Sequence, residues 1–269
     1  MKYMGSKNRI AKHILPIILR NKKPNQYYVE PFVGGCNMID KVSGLRIGAD
    51  KNKYLIAMWK GLQENRKRPY NIPKDLYNVA RDVYNGKEKR FNHIMEMDDF
   101  MIGWIGWMAS FNGRFFDGGY SGKTETRDYV SEQIKNTEKQ IYSLDGIEFF
   151  NCSYADLEIP KNSIVYCDIP YKNTKQYSTS KDFNHNDFWD WCREKSKQGH
   201  KVYVSEYNAP TDFVCVCEKE AKSSLSAISD PINTVLPSVK LASLLLNNTG
   251  IGLLVKICTK FPIARLALA

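Results

Sequence analysis

The sequence lacks the marks of several large protein classes. Its cysteines are Cys36, Cys152, Cys167, Cys192, Cys215, Cys217 and Cys258, and none form a Cys-x-x-Cys pair. That odd, unpaired set argues against a disulfide framework and against a structural zinc site. Cys215 and Cys217 alternate on one face of an apolar run, where a free thiol acts as a small hydrophobe. A reducing, cytoplasmic setting without bound metal is expected. No long apolar run follows Met1 to Lys7, so no secretory signal is expected. Residues 241–246 and 251–257 are apolar, but Asn247, Asn248 and Lys256 interrupt them. A membrane span is not expected from that pattern. There is neither an internal repeat nor a low-complexity tract. Glu30-Pro-Phe-Val-Gly-Gly-Cys36 lacks the full Gly-x-Gly-x-x-Gly spacing, and no Gly-Lys-Ser or Gly-Lys-Thr ends it. Dinucleotide binding and phosphate-loop nucleotide hydrolysis are poorly supported.

What is present in excess is positive charge. The chain has 269 residues, 43% apolar and 25% charged, with a formal net charge of +10. Its size permits one large domain or a core with an insert. Residues 51–90 hold 11 basic and 4 acidic residues, so much of the excess is local. A surface of that sign favours an anionic partner, most simply nucleic acid, although general solubility would also account for it.

Periodicity predicts helices over residues 10–19, 53–63, 99–110, 125–144 and 186–198, with Pro16 a defect or an end in the first. Strands are expected at 27–29, 45–49, 146–152, 163–167, 201–205 and 213–217. Asn37 is a candidate helix cap. Phe111-Asn-Gly-Arg-Phe-Phe-Asp-Gly-Gly-Tyr-Ser-Gly122 alternates turn residues with aromatics, which suggests a loop or hairpin. Strand and helix alternate before residue 60 and again after 146, the mark of a layered α/β domain with an open sheet. The expected divisions are a first part of the core (1–59), a helical and hairpin insert (60–145), a second part of the core (146–225) and an atypical C-terminal segment (226–269).

Three places carry candidate chemistry. The two-glycine loop follows a strand, where backbone can approach a ligand closely, but it reads equally as a plain turn. Asp50 ends the second strand and suits vicinal hydroxyls, or else a helix cap. Asp168-Ile-Pro-Tyr171 follows the apolar run Ser163-Ile-Val-Tyr-Cys167. A carboxylate, a rigid turn and a ring at a strand end suit a flat base bearing an amino group. Lys7 is either solvated or turned toward a ligand carboxylate.

Together these segments resemble the Dam-like (D12 class) DNA adenine N6-methyltransferases, which use S-adenosylmethionine. Tyr3-Met-Gly-Ser-Lys7 is similar to the family's amino-terminal cofactor segment, with Tyr3 where tryptophan is usual. Tyr28-Val-Glu-Pro-Phe-Val-Gly-Gly35 is similar to its main cofactor loop, and Ala49-Asp50 to its ribose-binding position. Phe149-Phe-Asn-Cys-Ser-Tyr-Ala-Asp156 resembles the segment beside the cofactor adenine. Asp168-Ile-Pro-Tyr171 resembles the catalytic Asp-Pro-Pro-Tyr motif, with Ile169 in place of a proline. The resemblance covers residues 1–225 and fades from about Ala227.

The resemblance implies a Rossmann-like methyltransferase sheet with a mainly helical DNA-recognition insert. It implies cofactor contacts from Tyr3, Lys7, Pro31, Phe32, Gly34, Asp50, Asp156 and Asp168. Asp168, Ile169, Pro170 and Tyr171 are the implied catalytic residues, acting on an adenine flipped out of double-stranded DNA. Asp168 and the Ile169 carbonyl would hold the amino group, and Tyr171 would stack on the base. Ile169 loses one φ restraint but keeps the carbonyl. Tyr177 is a weaker candidate to close over the base. Arg114, Phe116 and Tyr120 are the candidates for base contact or for filling the vacated space. Lys67 and Arg68, with Lys87, Lys89 and Arg90, are candidates for phosphates. A monomer is expected, with a dimer on DNA as the alternative. Competing functions are an inactive DNA-binding descendant, or methylation of RNA adenine or cytosine N4.

Overall fold

Seven short runs pair into one sheet in the computed structural model, which describes residues 1–87, 97–171, 183–220 and 238–244. The strands are β1 (Tyr28–Glu30), β2 (Arg46–Asp50), β3 (Ile147–Asn151), β4 (Ile164–Asp168), β5 (Lys201–Glu206), β6 (Phe213–Glu220) and β7 (Ser238–Leu244). The helices are α1 (Ala11–Ile18), α2 (Lys53–Gln63), α3 (Lys74–Tyr84), α4 (Asp99–Ala109), α5 (Tyr129–Ile141) and α6 (His185–Lys197).

The sheet order is β3-β2-β1-β4-β5-β7-β6. Strands β1 to β5 pair in parallel, whereas β7 runs antiparallel to both β5 and β6. The order reverses between β1 and β4. Ligands of open α/β sheets bind beyond the carboxyl ends at such a point. The two-glycine loop leaves β1 there, and Asp168 is the last residue of β4.

Alternation along the buried strands supplies both faces. Tyr28, Ile164 and Tyr166 join one apolar cluster, while Val29, Val165 and Cys167 join the other. The second cluster is closed by α6 through Phe188, Trp189 and Cys192. The first takes in Trp59 of α2, Trp104 and Trp107 of α4, and Val130 and Ile134 of α5. The stretch 60–145 therefore shares its core with the sheet. Every residue from Phe100 to Ala109 is buried, as expected of a helix apolar on all sides.

Helix starts follow cap chemistry. Asn52, Asp98, Asp128 and Asn184 each accept backbone N–H bonds at the first turns of α2, α4, α5 and α6. Asp128 explains why α5 starts at Tyr129 and not at residue 125. The expectation of an Asn37 cap is corrected. Its Nδ2 donates to the Met1 carbonyl at 3.2 Å, and the short 3-10 turn Ile39–Lys41 has no side-chain cap. Pro16 lies inside α1 without ending it. Strand β7, from the atypical C-terminal segment, completes the sheet; the rest of residues 245–269 lies outside the described residues. No helix among the described residues is long and apolar enough to cross a membrane.

Candidate functional site

Backbone bonds set the loop after β1 against β2 and α2. Val33 N–H donates to the Ala49 carbonyl at 2.8 Å, and Gly34 N–H to Asp50 Oδ2 at 3.2 Å. The Trp59 indole N–H donates to the Gly34 carbonyl at 2.9 Å. Gln140 Nε2, from α5, donates to the carbonyls of Gly35 and Cys36 at 3.0 and 3.1 Å. Gly34 has φ +45°, and a Cβ there would lie 2.9 Å from the Tyr3 ring. Tyr3 thus lies on the glycine turn, with its ring 5.0 Å from that of Trp107. Trp59 and Gln140 were not legible as site residues, because each reads as an ordinary member of its helix.

Asp50 is not a helix cap, since Asn52 caps α2. Its Oδ1 instead accepts the Asn52 N–H at 2.9 Å. With a single backbone donor on each oxygen, the carboxylate keeps lone pairs for further donors. Burial pushes its pKa up to about 6, against the pull of those two N–H groups. The unfolded carboxyl ionises near 3.8. Between those values the native chain keeps a proton that the unfolded chain has lost. Asp50 therefore withdraws stability as pH rises through that window.

Lys7 joins the amino-terminal segment to the turn Asp168–Tyr171. Its Nζ lies 2.7 Å from Asp168 Oδ1 and 2.9 Å from Oδ2, donates to the Gly5 carbonyl at 2.8 Å, and sits 4.7 Å from the Tyr171 ring centre. Lys7 is buried. Burial also raises the pKa of Asp168, while Lys7 and the Tyr171 hydroxyl pull it back down. The ring of Tyr171 meets that of Tyr207 edge-on at 4.6 Å. Lys7 thus covers one face of the Tyr171 ring. Ile169 is 4% exposed and belongs to the apolar cluster that includes Val165, Cys167, Phe188 and Trp189. Beneath the site Tyr28 donates to Glu30 Oε1 at 2.8 Å, and burial drives Glu30 well above the usual carboxylate range.

The remaining cofactor candidates separate. Pro31 is buried, and Phe32 stacks on Tyr154 at 5.4 Å and meets Phe183 and Phe188 edge-on. Asp156 is exposed after β3, its backbone N–H bound to the Ser153 carbonyl. No cluster of histidine, cysteine or acidic side chains fit for a metal occurs among the described residues.

The insert divides its candidates differently from the sequence. Arg68 is 5% exposed, and its Nε and Nη2 donate to Glu138 Oε1 at 3.0 and 2.9 Å. Its guanidinium also lies over the Trp104 ring. Phe116 packs against Tyr77, Tyr84 and Phe115. Tyr120 packs on Tyr77 and donates to the Ile72 carbonyl at 2.7 Å. These three hold the insert together. Arg114 pairs with Asp117 at 2.7 Å, and its buried Nε has no hydrogen-bond partner among the described residues. Lys67 is exposed, as is Lys87, which lies 4.0 Å from Asp82. Phe111 opens a short 3-10 turn, Phe111–Gly113, in a loop closed by the Ser110–Tyr120 bridge, and is 55% exposed. Lys89, Arg90 and Tyr177 lie outside the described residues. Arg68→Ala is expected to cost roughly 2 kcal/mol of stability by loss of its charged hydrogen bonds. Urea denaturation would measure that loss.

A mainly parallel sheet with β7 reversed between β5 and β6, and a carboxylate-bearing turn at the β4 end, make this an open α/β protein with its site at the switch point. The family model for D12 class N6 adenine-specific DNA methyltransferases matches residues 3–235, and the chain belongs to that family. No curated protein matches the sequence. Among solved structures, the SAH complex of SMU.472, described as a methyltransferase, is 12% identical with a TM-score of 0.37. The match covers 93% of this chain, which spans about half of that one, 55%.

Proposed function

We propose that the chain transfers a methyl group from S-adenosylmethionine to N6 of adenine in double-stranded DNA. The observation that carries this is the meeting of Lys7, from the amino-terminal segment, with Asp168 at the switch point of the sheet. The residues present fit the cofactor. The glycine turn leaves no room for a Cβ under Tyr3, and Asp50 retains acceptor capacity for vicinal hydroxyls. When bound, the cofactor supplies an electrophilic methyl group. Tyr3, Lys7, Pro31, Phe32, Gly34, Asp50 and Asp156 are its proposed contacts.

Asp168 and the Ile169 carbonyl accept from the amino group of the base. Both favour the positive charge that builds on nitrogen as its lone pair forms the new N–C bond while the methyl–sulfur bond breaks, its electron pair staying on the sulfur of the departing S-adenosylhomocysteine. Lys7 favours the ionised form of Asp168 against the burial that raises its pKa. A carboxylate has about four lone-pair sites, so Asp168 can accept from the base while keeping Lys7. Holding the nucleophile in line supplies much of the remaining rate. The extra proton then passes from nitrogen to solvent water. Tyr171 stacks on the flipped base, and Pro170 keeps its turn rigid.

For DNA, Lys67 and Arg114 remain the proposed contacts, and Phe111 is the ring free to enter a base stack. Phe111→Ala is expected to reduce fluorescence of 2-aminopurine at the target position roughly tenfold through lost flipping, at unchanged thermal stability. An undiminished signal would reject the wedge role.

Cofactor binding should follow Asp50. Ligand hydroxyls donate to its ionised form, so affinity for S-adenosylhomocysteine should rise about tenfold per pH unit below 6 and level off above it. Calorimetry would show this rise, and Asp50→Asn should abolish it. The proposal as a whole is tested by methylating mixed-sequence DNA and mapping N6-methyladenine on single molecules. No transfer to any adenine-containing duplex would sink it, and product at cytosine N4 or in RNA alone would replace it.

A further inference from the structure

Two side chains without a part in the chemistry above brace the catalytic turn from behind. His185, the first residue of α6, places Nε2 3.0 Å from the Pro170 carbonyl oxygen. A carbonyl only accepts, so that nitrogen carries the hydrogen and the tautomer is fixed. Glu206, the last residue of β5 and 3% exposed, brings Oε2 within 3.9 Å of the same nitrogen. Its Oε1 accepts the Tyr207 backbone N–H at 2.6 Å. The Tyr207 ring in turn meets Tyr171 edge-on at 4.6 Å.

His185 thus holds the Pro170 carbonyl, while Glu206 ties the backbone of Tyr207, whose ring meets Tyr171. We infer that His185 is a positioning residue for methyl transfer, fixing the peptide that links Pro170 to Tyr171. That peptide follows directly on the Ile169 carbonyl assigned to the base. Its orientation sets both the direction of that carbonyl and the swing of the Tyr171 ring. The brace also has a local reason. Ile169 fixes no φ as a proline would, so the turn has one covalent restraint fewer. A hydrogen bond from a different element supplies a restraint in its place. A near-attack geometry rewards this, because a misplacement of about 1 Å costs on the order of 100-fold in rate.

The inference rests on the proposed methyl transfer, and its test separates the two. His185→Leu removes the donor. His185→Gln presents an amide N–H where Nε2 stands, whereas the shorter His185→Asn does not reach it. Single-turnover transfer to the mapped target is expected to fall ~10- to 100-fold in the Leu and Asn variants. It should recover to within a few-fold of wild type in the Gln variant. Affinity for S-adenosylhomocysteine should hold in all three. Equal losses in all three variants, or none, would overturn the brace. Amide hydrogen exchange across residues 168–171 is read on the same proteins. It should speed up in the Leu and Asn variants and not in the Gln variant, and unchanged exchange in all three would also overturn it. If the wild-type chain transfers no methyl group, the functional reading fails and exchange alone decides whether His185 holds the turn. If the Leu variant does not fold, the Asn and Gln pair carries the comparison.

Discussion

Asp168→Asn should lower single-turnover methyl transfer by ~10²- to 10³-fold, the loss expected when a preorganised charged acceptor is removed from a developing positive charge. The fold should persist, but with a cost that the tetrapeptide alone does not foretell. Lys7 is 7% exposed at its side chain and Asp168 is 25% exposed. Removing one member of a buried ion pair leaves an uncompensated charge, at ~3–5 kcal/mol for a fully buried pair. The partial exposure of Asp168 places the expected cost below that range. Lys7→Met in the Asn background removes the second charge and should recover most of the stability without recovering transfer. Urea denaturation and single-turnover kinetics on the four proteins of this cycle separate the two roles. A wild-type rate in Asp168→Asn would reject the mechanism. Stability that Lys7→Met lowers further would reject the ion pair as the source of the cost.

Gly103→Ala should be the most damaging methyl group added far from the chemistry. A Cβ at Gly103 would stand 2.2 Å from the Tyr54 carbonyl oxygen and 3.0 Å from its carbon, both backbone atoms. α4 and α2 must therefore move apart. Overpacking of this kind costs ~1–3 kcal/mol, which lowers the melting temperature by roughly 3–10 °C in a chain of this size. The separation also has a functional reading. α2 carries Trp59, whose indole holds the Gly34 carbonyl at 2.9 Å. Affinity for S-adenosylhomocysteine should fall by about tenfold, the worth of one hydrogen bond. Trp59→Phe removes that bond without forcing the helices apart, so it should weaken binding with a smaller change in melting temperature. A melting temperature unmoved in Gly103→Ala would show that the helices do not cross so closely.

Much of the sheet was legible because its strands are short apolar runs with a turn residue or a carboxylate at the end. Residues 163–167 and the acid that follows are the clearest case, and α4 is another, since its uniform apolarity required burial. The insert was harder to read. Lys67 and Arg68 are adjacent and equally basic, yet Lys67 is exposed and Arg68 is clasped by Glu138, 70 residues away. Phe111, Phe116 and Tyr120 share one loop and one chemistry. Phe116 sits at φ +56°, with its backbone N–H tied to Ser110 Oγ at 2.8 Å, and its ring is turned into the aromatic cluster. Phe111 is left in solvent. Local pattern has no means to distinguish them, because each outcome depends on a partner remote in sequence.

By itself the sequence determined the alternation of strands and helices, the basic surface, and the residue types at the two strand ends, for these follow from local periodicity and composition. Only the tertiary structure decided which groups meet there. Crossover connections bring β1 and β4 side by side, and that juxtaposition sets Lys7 on Asp168 across a separation of 161 residues. The same packing brings His185 and Glu206 behind the turn and makes the stretch 60–145 part of the shared core. Ion pairs, buried carboxyls and closely crossed helices depend on distances of a few ångströms, and those distances are set by the packing of the whole chain.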